Sequence, residues 1–136
     1  MAPNRIHELV RAAEASRSGI DAVAHLCSMA AEGLPVDGVG LSVTGGPGRH
    51  SRVAATDDVS SHIEDLQVLL GQGPCVDAVA TGAPVLVPDL EAPGVEARWP
   101  AFLPAVSAVG VRASFALPLV VGEVRLGAMD LYRSRV

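Results

Sequence analysis

The stretch Ala113–Tyr132, ASFALPLVVGEVRLGAMDLY, constrains the fold of this chain more than any other. Two runs of strand-forming residues meet at Gly122-Glu123, with glycine at the turn position where a type II′ hairpin requires positive φ. With a two-residue loop, Leu119 is expected to face Leu126, Leu117 to face Ala128 and Phe115 to face Asp130, all on one mostly apolar face. The other face carries Ala116, Val120, Met129 and Leu131. A hairpin that is apolar on both faces has to be covered on both, so the remainder of the chain must supply two layers.

The preceding segments read as those layers. From Asn4 to about Arg17, Ile6, Leu9, Val10 and Ala13 recur at helical spacing, and a second helix carries Ile20, Val23, Ala24, Cys27 and Ala31 before Gly33. Val39, Leu41 and Val43 alternate as a strand, Gly45-Gly46-Pro47-Gly48 turns the chain, and Arg52 to Thr56 returns as an edge strand. Asp57 or Asp58 offers an N-cap to a helix whose buried face is expected to be Val59, Ile63, Leu66 and Leu70, with Ser61 and Glu64 at capping-box spacing. A short helix follows from Cys75 to Ala80. The prolines around Val85-Leu86-Val87 suit an edge strand. Asp89 to Arg98 shows no period and reads as a loop. Trp99-Pro100 opens another helix with Phe102, Val106 and Val109 at helical spacing, in which Pro104 is tolerable only within the first turn.

At 136 residues the chain is long enough to bury the core of one domain, and no linker, repeat or low-complexity tract divides it. Fifteen acidic against ten basic side chains give a net charge of −5 with no basic run, and aromatics are few. Both facts argue against direct nucleic-acid binding. Two cysteines, Cys27 and Cys75, match no metal motif and make no disulfide framework, which fits a reduced, cytoplasmic setting. No signal peptide or membrane span is expected. None of His7, His25, His50 and His62 has a second ligand at i+4 and no pair of them suggests a metal, so no metal site and no cofactor is expected.

The order of elements resembles a GAF domain, most strongly through Ser114-Phe115-Ala116-Leu117-Pro118-Leu119, Gly122 and Arg125-Leu126-Gly127-Ala128. Gly71-Gln72-Gly73-Pro74-Cys75-Val76-Asp77-Ala78, Arg98-Trp99-Pro100, Gly110-Val111-Arg112 and Met129-Asp130-Leu131-Tyr132-Arg133 further resemble the GAF domains of actinobacterial regulators, in which an RNA-binding ANTAR domain commonly follows. The resemblance implies an α+β fold, a central antiparallel sheet of five or six strands with helices on both faces, and a ligand pocket between one face and its cover. It implies a single sensor domain over residues 1–136, with any effector domain absent from this chain.

Candidate ligand-binding residues are Trp99 and Phe102 as an aromatic lid, Arg112 as a clamp for a carboxylate or phosphate, and Asp77, Ser114, Phe115 and Met129 around the same space. Trp99 and Phe102 could equally plug the sheet face, and Arg112 could pair with Asp77 or Asp89. Cys75 stands at a helix N-terminus, where the dipole favours a thiolate, and is the redox candidate. Asp130, on a covered face, requires a partner or a position near solvent.

No nucleophile, base and orienter stand at recognisable spacing, so no catalytic residue is assigned and the chain reads as a non-enzymatic sensory module. It is expected to bind a small ligand or relay a signal to an output domain, and to pair as a homodimer through its N-terminal helices. The alternatives are a dimerisation module with a collapsed pocket, or a cysteine-dependent methionine sulfoxide reductase like one GAF-related family.

Overall fold

A computed structural model describes residues 19–44 and 50–136. The N-terminal helix expected over Asn4 to Arg17 and the turn at Gly45 to Gly48 lie outside these residues. In chain order the elements are α1 (Gly19–Gly33), β1 (Gly38–Thr44), β2 (His50–Ala55), α2 (Asp58–Leu70), α3 (Pro74–Thr81), β3 (Val85–Val87), α4 (Val95–Arg98), α5 (Phe102–Ala108), β4 (Ala113–Val121) and β5 (Val124–Arg133). The five strands form one antiparallel sheet in the order β2-β1-β5-β4-β3. The α+β architecture expected from the sequence is therefore present.

The hairpin β4–β5 lies inside the sheet, flanked by β1 and β3. Side chains on its two faces enter two separate cores, as strands apolar on both sides require. Under α2, α3 and α5 the core is built from Ile63, Ala78, Val85, Val87, Leu90, Trp99, Phe102, Val106, Val111, Ala116 and Tyr132. Under α1 it is built from Cys27, Val39, Leu41, Ala54 and Leu131, with Phe115, Leu119 and Met129 packed against them. Three-residue β3 sits at the edge between Pro84 and Pro88, where missing donors break no ladder.

Gly122 takes φ 61° and, among the described residues, no non-glycine residue has positive φ, which are the φ signs of a type II′ turn. The register beyond that turn differs from the simple expectation by one residue. Val121 pairs with Val124 and Val120 with Arg125, but Leu119 then pairs with Gly127, so Leu126 is the extra residue of a bulge. Every later pair moves with it: Leu117 faces Met129, Phe115 faces Leu131, and Asp130 faces Ala116 instead of Phe115. Because side chains alternate along a strand, this one residue places Asp130 beneath α2 and α3. Gly127 also runs so close to β1 that a Cβ there would stand 2.0 Å from the Ser42 carbonyl oxygen.

Two further local expectations are corrected. The capping box of α2 is Asp57 with Ser60, whose N–H donates to Asp57 Oδ1 at 2.7 Å, and not Ser61 with Glu64. The fully buried ridge of α2 is Ser60, Ile63, Glu64 and Gln67, while Val59, Leu66 and Leu70 are only partly buried. The segment expected as a loop ends in the single-turn helix α4. Pro104 falls in the first turn of α5, where its missing N–H has no intrahelical partner to lose.

Candidate functional site

Beneath α2 and α3 the sheet face is floored by small residues: Gly38, Gly40 and Ser42 on β1, Ala128 and Asp130 on β5, and Ser114 and Ala116 on β4. Such a floor lets polar side chains from the helices descend to the sheet. A Cβ on Gly40 would lie 2.6 Å from Glu64 Oε1, so glycine there is what admits the glutamate. Gly73, with φ 135°, does the same for Gln67, whose Oε1 would be 2.4 Å from a Cβ.

Five polar side chains meet in this space, each no more than 5 % exposed: Ser42, Glu64, Gln67, Cys75 and Asp130. Ser42 Oγ and Cys75 Sγ are 3.3 Å apart, and Gln67 Oε1 accepts the Cys75 backbone N–H at 2.7 Å. The Glu64 and Asp130 carboxyls lie side by side, with an oxygen of each within 4.8 Å of the other. Burial, then the charge of Asp130, raises the Glu64 carboxyl well above the ordinary range and favours its protonated form. Burial also dominates at Cys75, with Asp130 and Glu64 adding to it, and the thiol is pushed up strongly. Burial thus opposes the thiolate that the helix N-terminus favours. Glu64 Oε1 and Gln67 Nε2 are enclosed without a hydrogen-bond partner among the described residues.

A cover closes the neighbouring part of the same face. Trp99 and Phe102 are 2 % and 0 % exposed and meet edge to face with centroids 6.0 Å apart. Asp77 Oδ2 accepts both the Trp99 indole N–H at 3.1 Å and Arg98 Nε at 3.0 Å. The Arg98 guanidinium lies 4.5 Å from the indole centroid. Gln72 Oε1 accepts the N–H groups of Ala101 and Phe102 at 3.0 and 3.3 Å, supplying the start of α5 with an acceptor that its own N-cap residue, Ala101, lacks.

Of the residues singled out from the sequence, Asp77, Trp99 and Phe102 come together in this cover, and Ser114 lies in the floor. Cys75 belongs to the polar group. Arg112 lies on the rim and pairs with Glu91 at 3.2 Å, a neighbouring acid rather than the expected Asp77 or Asp89. Phe115 and Met129 are on the opposite face, packed into the core beneath α1, with the Arg133 guanidinium 5.1 Å from the Phe115 ring. The one-residue bulge leaves them there. Glu64, Gln67, Ser42 and Gln72 were not foreseen as site residues. The glycines at 40 and 73 are the signal that could have found Glu64 and Gln67, since each marks a place where a side chain is replaced by a neighbour's.

A five-stranded antiparallel sheet with helices on both faces and a polar centre under one cover defines an α+β module with one enclosed face. Residues 7–136 match the family profile described as GAF domain, and the chain belongs to that family, whose members are typically sensory or regulatory. Among solved structures it is similar to a type II free methionine-R-sulfoxide reductase from Thermoplasma acidophilum, with 21% identity, TM-score 0.63, and coverage of 93% of this chain and 78% of that one. The GAF domain of a phosphoenolpyruvate-protein phosphotransferase from Coxiella burnetii is similar at 16% identity and TM-score 0.64, covering 95% and 75%. A domain of a putative two-component sensor histidine kinase from Sinorhizobium meliloti is similar at 18% identity and TM-score 0.63, covering 85% and 74%. At these identities the likeness is one of fold. No curated protein matches in sequence. Among the described residues no helix is long and apolar enough to cross a membrane.

Proposed function

We propose that this chain is a non-enzymatic sensory module that takes a small polar ligand or another signal at the face beneath α2, α3 and α5 and relays it to an attached output domain. The observation that carries this reading is the closure of the cover. Trp99 and Arg98 are held by one carboxylate, Asp77, whose side chain is 34% exposed at the rim, so the bonds that close the face are replaceable by a ligand or by water. Behind them lie enclosed polar atoms of a kind that a purely structural core seldom leaves without partners. The resemblance of Gly71 to Ala78 and Met129 to Arg133 to GAF–ANTAR regulators supports an RNA-binding antiterminator as the output. Homodimerisation through the N-terminal helices belongs to the same reading, and Met29 on α1, 54% exposed, offers apolar surface for it.

The reductase alternative needs a reactive thiolate and a second thiol close by. Burial disfavours the Cys75 thiolate, and Cys27 lies in the core on the other side of the sheet. The collapsed-pocket alternative rests on Leu90, Trp99 and Phe102, all essentially inaccessible, filling the face themselves. A thermal-shift screen of polar metabolites combined with native mass spectrometry separates the readings. Stabilisation by a metabolite with a change in Trp99 fluorescence supports the sensor. A chain that dimerises but is stabilised by none of them supports the collapsed module, and turnover of methionine sulfoxide dependent on Cys75 supports the reductase.

A further inference from the structure

We propose that Cys75, Glu64 and Asp130 form a binding site for one divalent transition-metal ion with the preferences of zinc. Their ligand atoms, Cys75 Sγ and one carboxylate oxygen from each acid, all lie within 4.8 Å of one another and come from three different elements, α3, α2 and β5. All three residues are buried, unlike the exposed acidic groups that cluster on protein surfaces without an ion. Glu64 Oε1, on a residue 1 % exposed, has no hydrogen-bond partner among the described residues and is an available donor. The proposal goes beyond the sensor reading and does not depend on it.

The surroundings fit such a site. Metal–ligand bonds of about 2.0–2.3 Å place donors about 3.5 Å apart in a tetrahedron, so the three groups need to close by about 1 Å. Glu64 has the rotatable side chain to do so, and Gly40 leaves it room. Gln67 fixes the backbone of Cys75, and the Ser42 hydroxyl at 3.3 Å is placed to donate to a bound thiolate, the kind of outer contact that orients metal ligands. One soft sulfur with two carboxylates favours zinc or cobalt over magnesium or calcium, which take oxygen alone. A divalent ion would also compensate the removal of two carboxyls and a thiol from water.

The test uses the full chain after treatment with a chelator, titrated with cobalt(II) and then competed with zinc(II). The expected result is one cobalt per chain with an intense near-ultraviolet thiolate-to-cobalt charge-transfer band. Zinc should abolish that band. It should persist in Cys27→Ser, vanish in Cys75→Ser, and need at least about tenfold more cobalt in Glu64→Gln. A wild-type chain that shows no such band overturns the proposal whatever the variants do. So does a band that survives Cys75→Ser, or cobalt binding with only the weak visible bands of oxygen and nitrogen ligation. Circular dichroism of each variant shows whether a lost band reflects a lost ligand, and an unfolded Cys75→Ser leaves the wild-type spectrum and Cys27→Ser to decide.

Discussion

The indole N–H of Trp99 and Arg98 Nε converge on a single oxygen, Asp77 Oδ2, at 3.1 and 3.0 Å. That oxygen ties the cover of the sheet face to α3, and Trp99 is the chain's one tryptophan, so its emission reports the closure directly. Asp77→Ala is expected to shift the emission to longer wavelength and to cost about 1 kcal/mol, the net worth of a hydrogen bond at a half-exposed carboxylate. Arg98→Ala is expected to cost less, because the pair it breaks is largely in solvent. Unchanged emission in Asp77→Ala would mean that packing alone holds the indole.

Stability is expected to fall with rising pH from the mildly acid range upward. Folded Glu64 keeps its proton well above the ordinary glutamate value, whereas the unfolded chain releases it near that value. Between the two the folded state binds more protons. The stabilisation is complete below the ordinary value and is lost as pH rises through the raised one, with a slope of up to about 1.4 kcal/mol per pH unit. Cys75, raised by burial, and Tyr132, raised by burial and by its bond to Asp57, continue the decline at alkaline pH. Glu64→Gln should flatten the slope between mildly acid and neutral pH. Urea melts across that range check this, and a wild-type slope that matches the variant's rules it out.

Neither thiol is expected to react in the folded protein at neutral pH. Burial pushes Cys27 up to about 11, and Cys75 is raised further by the two carboxyls beside it. Alkylation followed by mass spectrometry should therefore show labelling at the rate at which the chain opens, and rapid labelling of both residues in denaturant. Prompt native labelling of Cys75 would restore it as a redox residue.

Two glycine substitutions separate rigid from yielding contacts. In Gly127→Ala the new methyl group meets the Ser42 carbonyl 2.0 Å away on a neighbouring strand, so the β1–β5 ladder has to part, at a cost of about 3 kcal/mol or more. In Gly40→Ala it meets the end of the Glu64 side chain at 2.6 Å, which can rotate away, at about 1–2 kcal/mol. Chemical denaturation ranks the two. The reverse order would show that Glu64 has no freedom to move.

Much of the fold is legible along the chain. The two-sided apolar hairpin demands helices on both faces, Gly122 supplies the turn, the prolines around Val85–Val87 mark an edge, and the spacing of Phe102 and Val106 marks the helix before the hairpin. Each of these is a local property, written in the period of apolar residues or in backbone freedom at one position. The centre of the site is legible only in part. Glu64 and Gln67 fall outside the apolar stripe of their helix, and such a stripe indicates which way a helix faces only when burial is apolar. Cys75 is a redox candidate because its helix N-terminus is visible in the sequence, while the desolvation that opposes a thiolate there is not. Asp130 stands out as unexplained. What puts it beside Glu64 is the extra residue at Leu126, next to which Gly127 runs against the Ser42 carbonyl of a strand far away in the chain. Along a strand a shift of one residue exchanges the two faces, so the sequence by itself determined that both faces would be covered, and only the tertiary structure decided which of them holds the carboxylates.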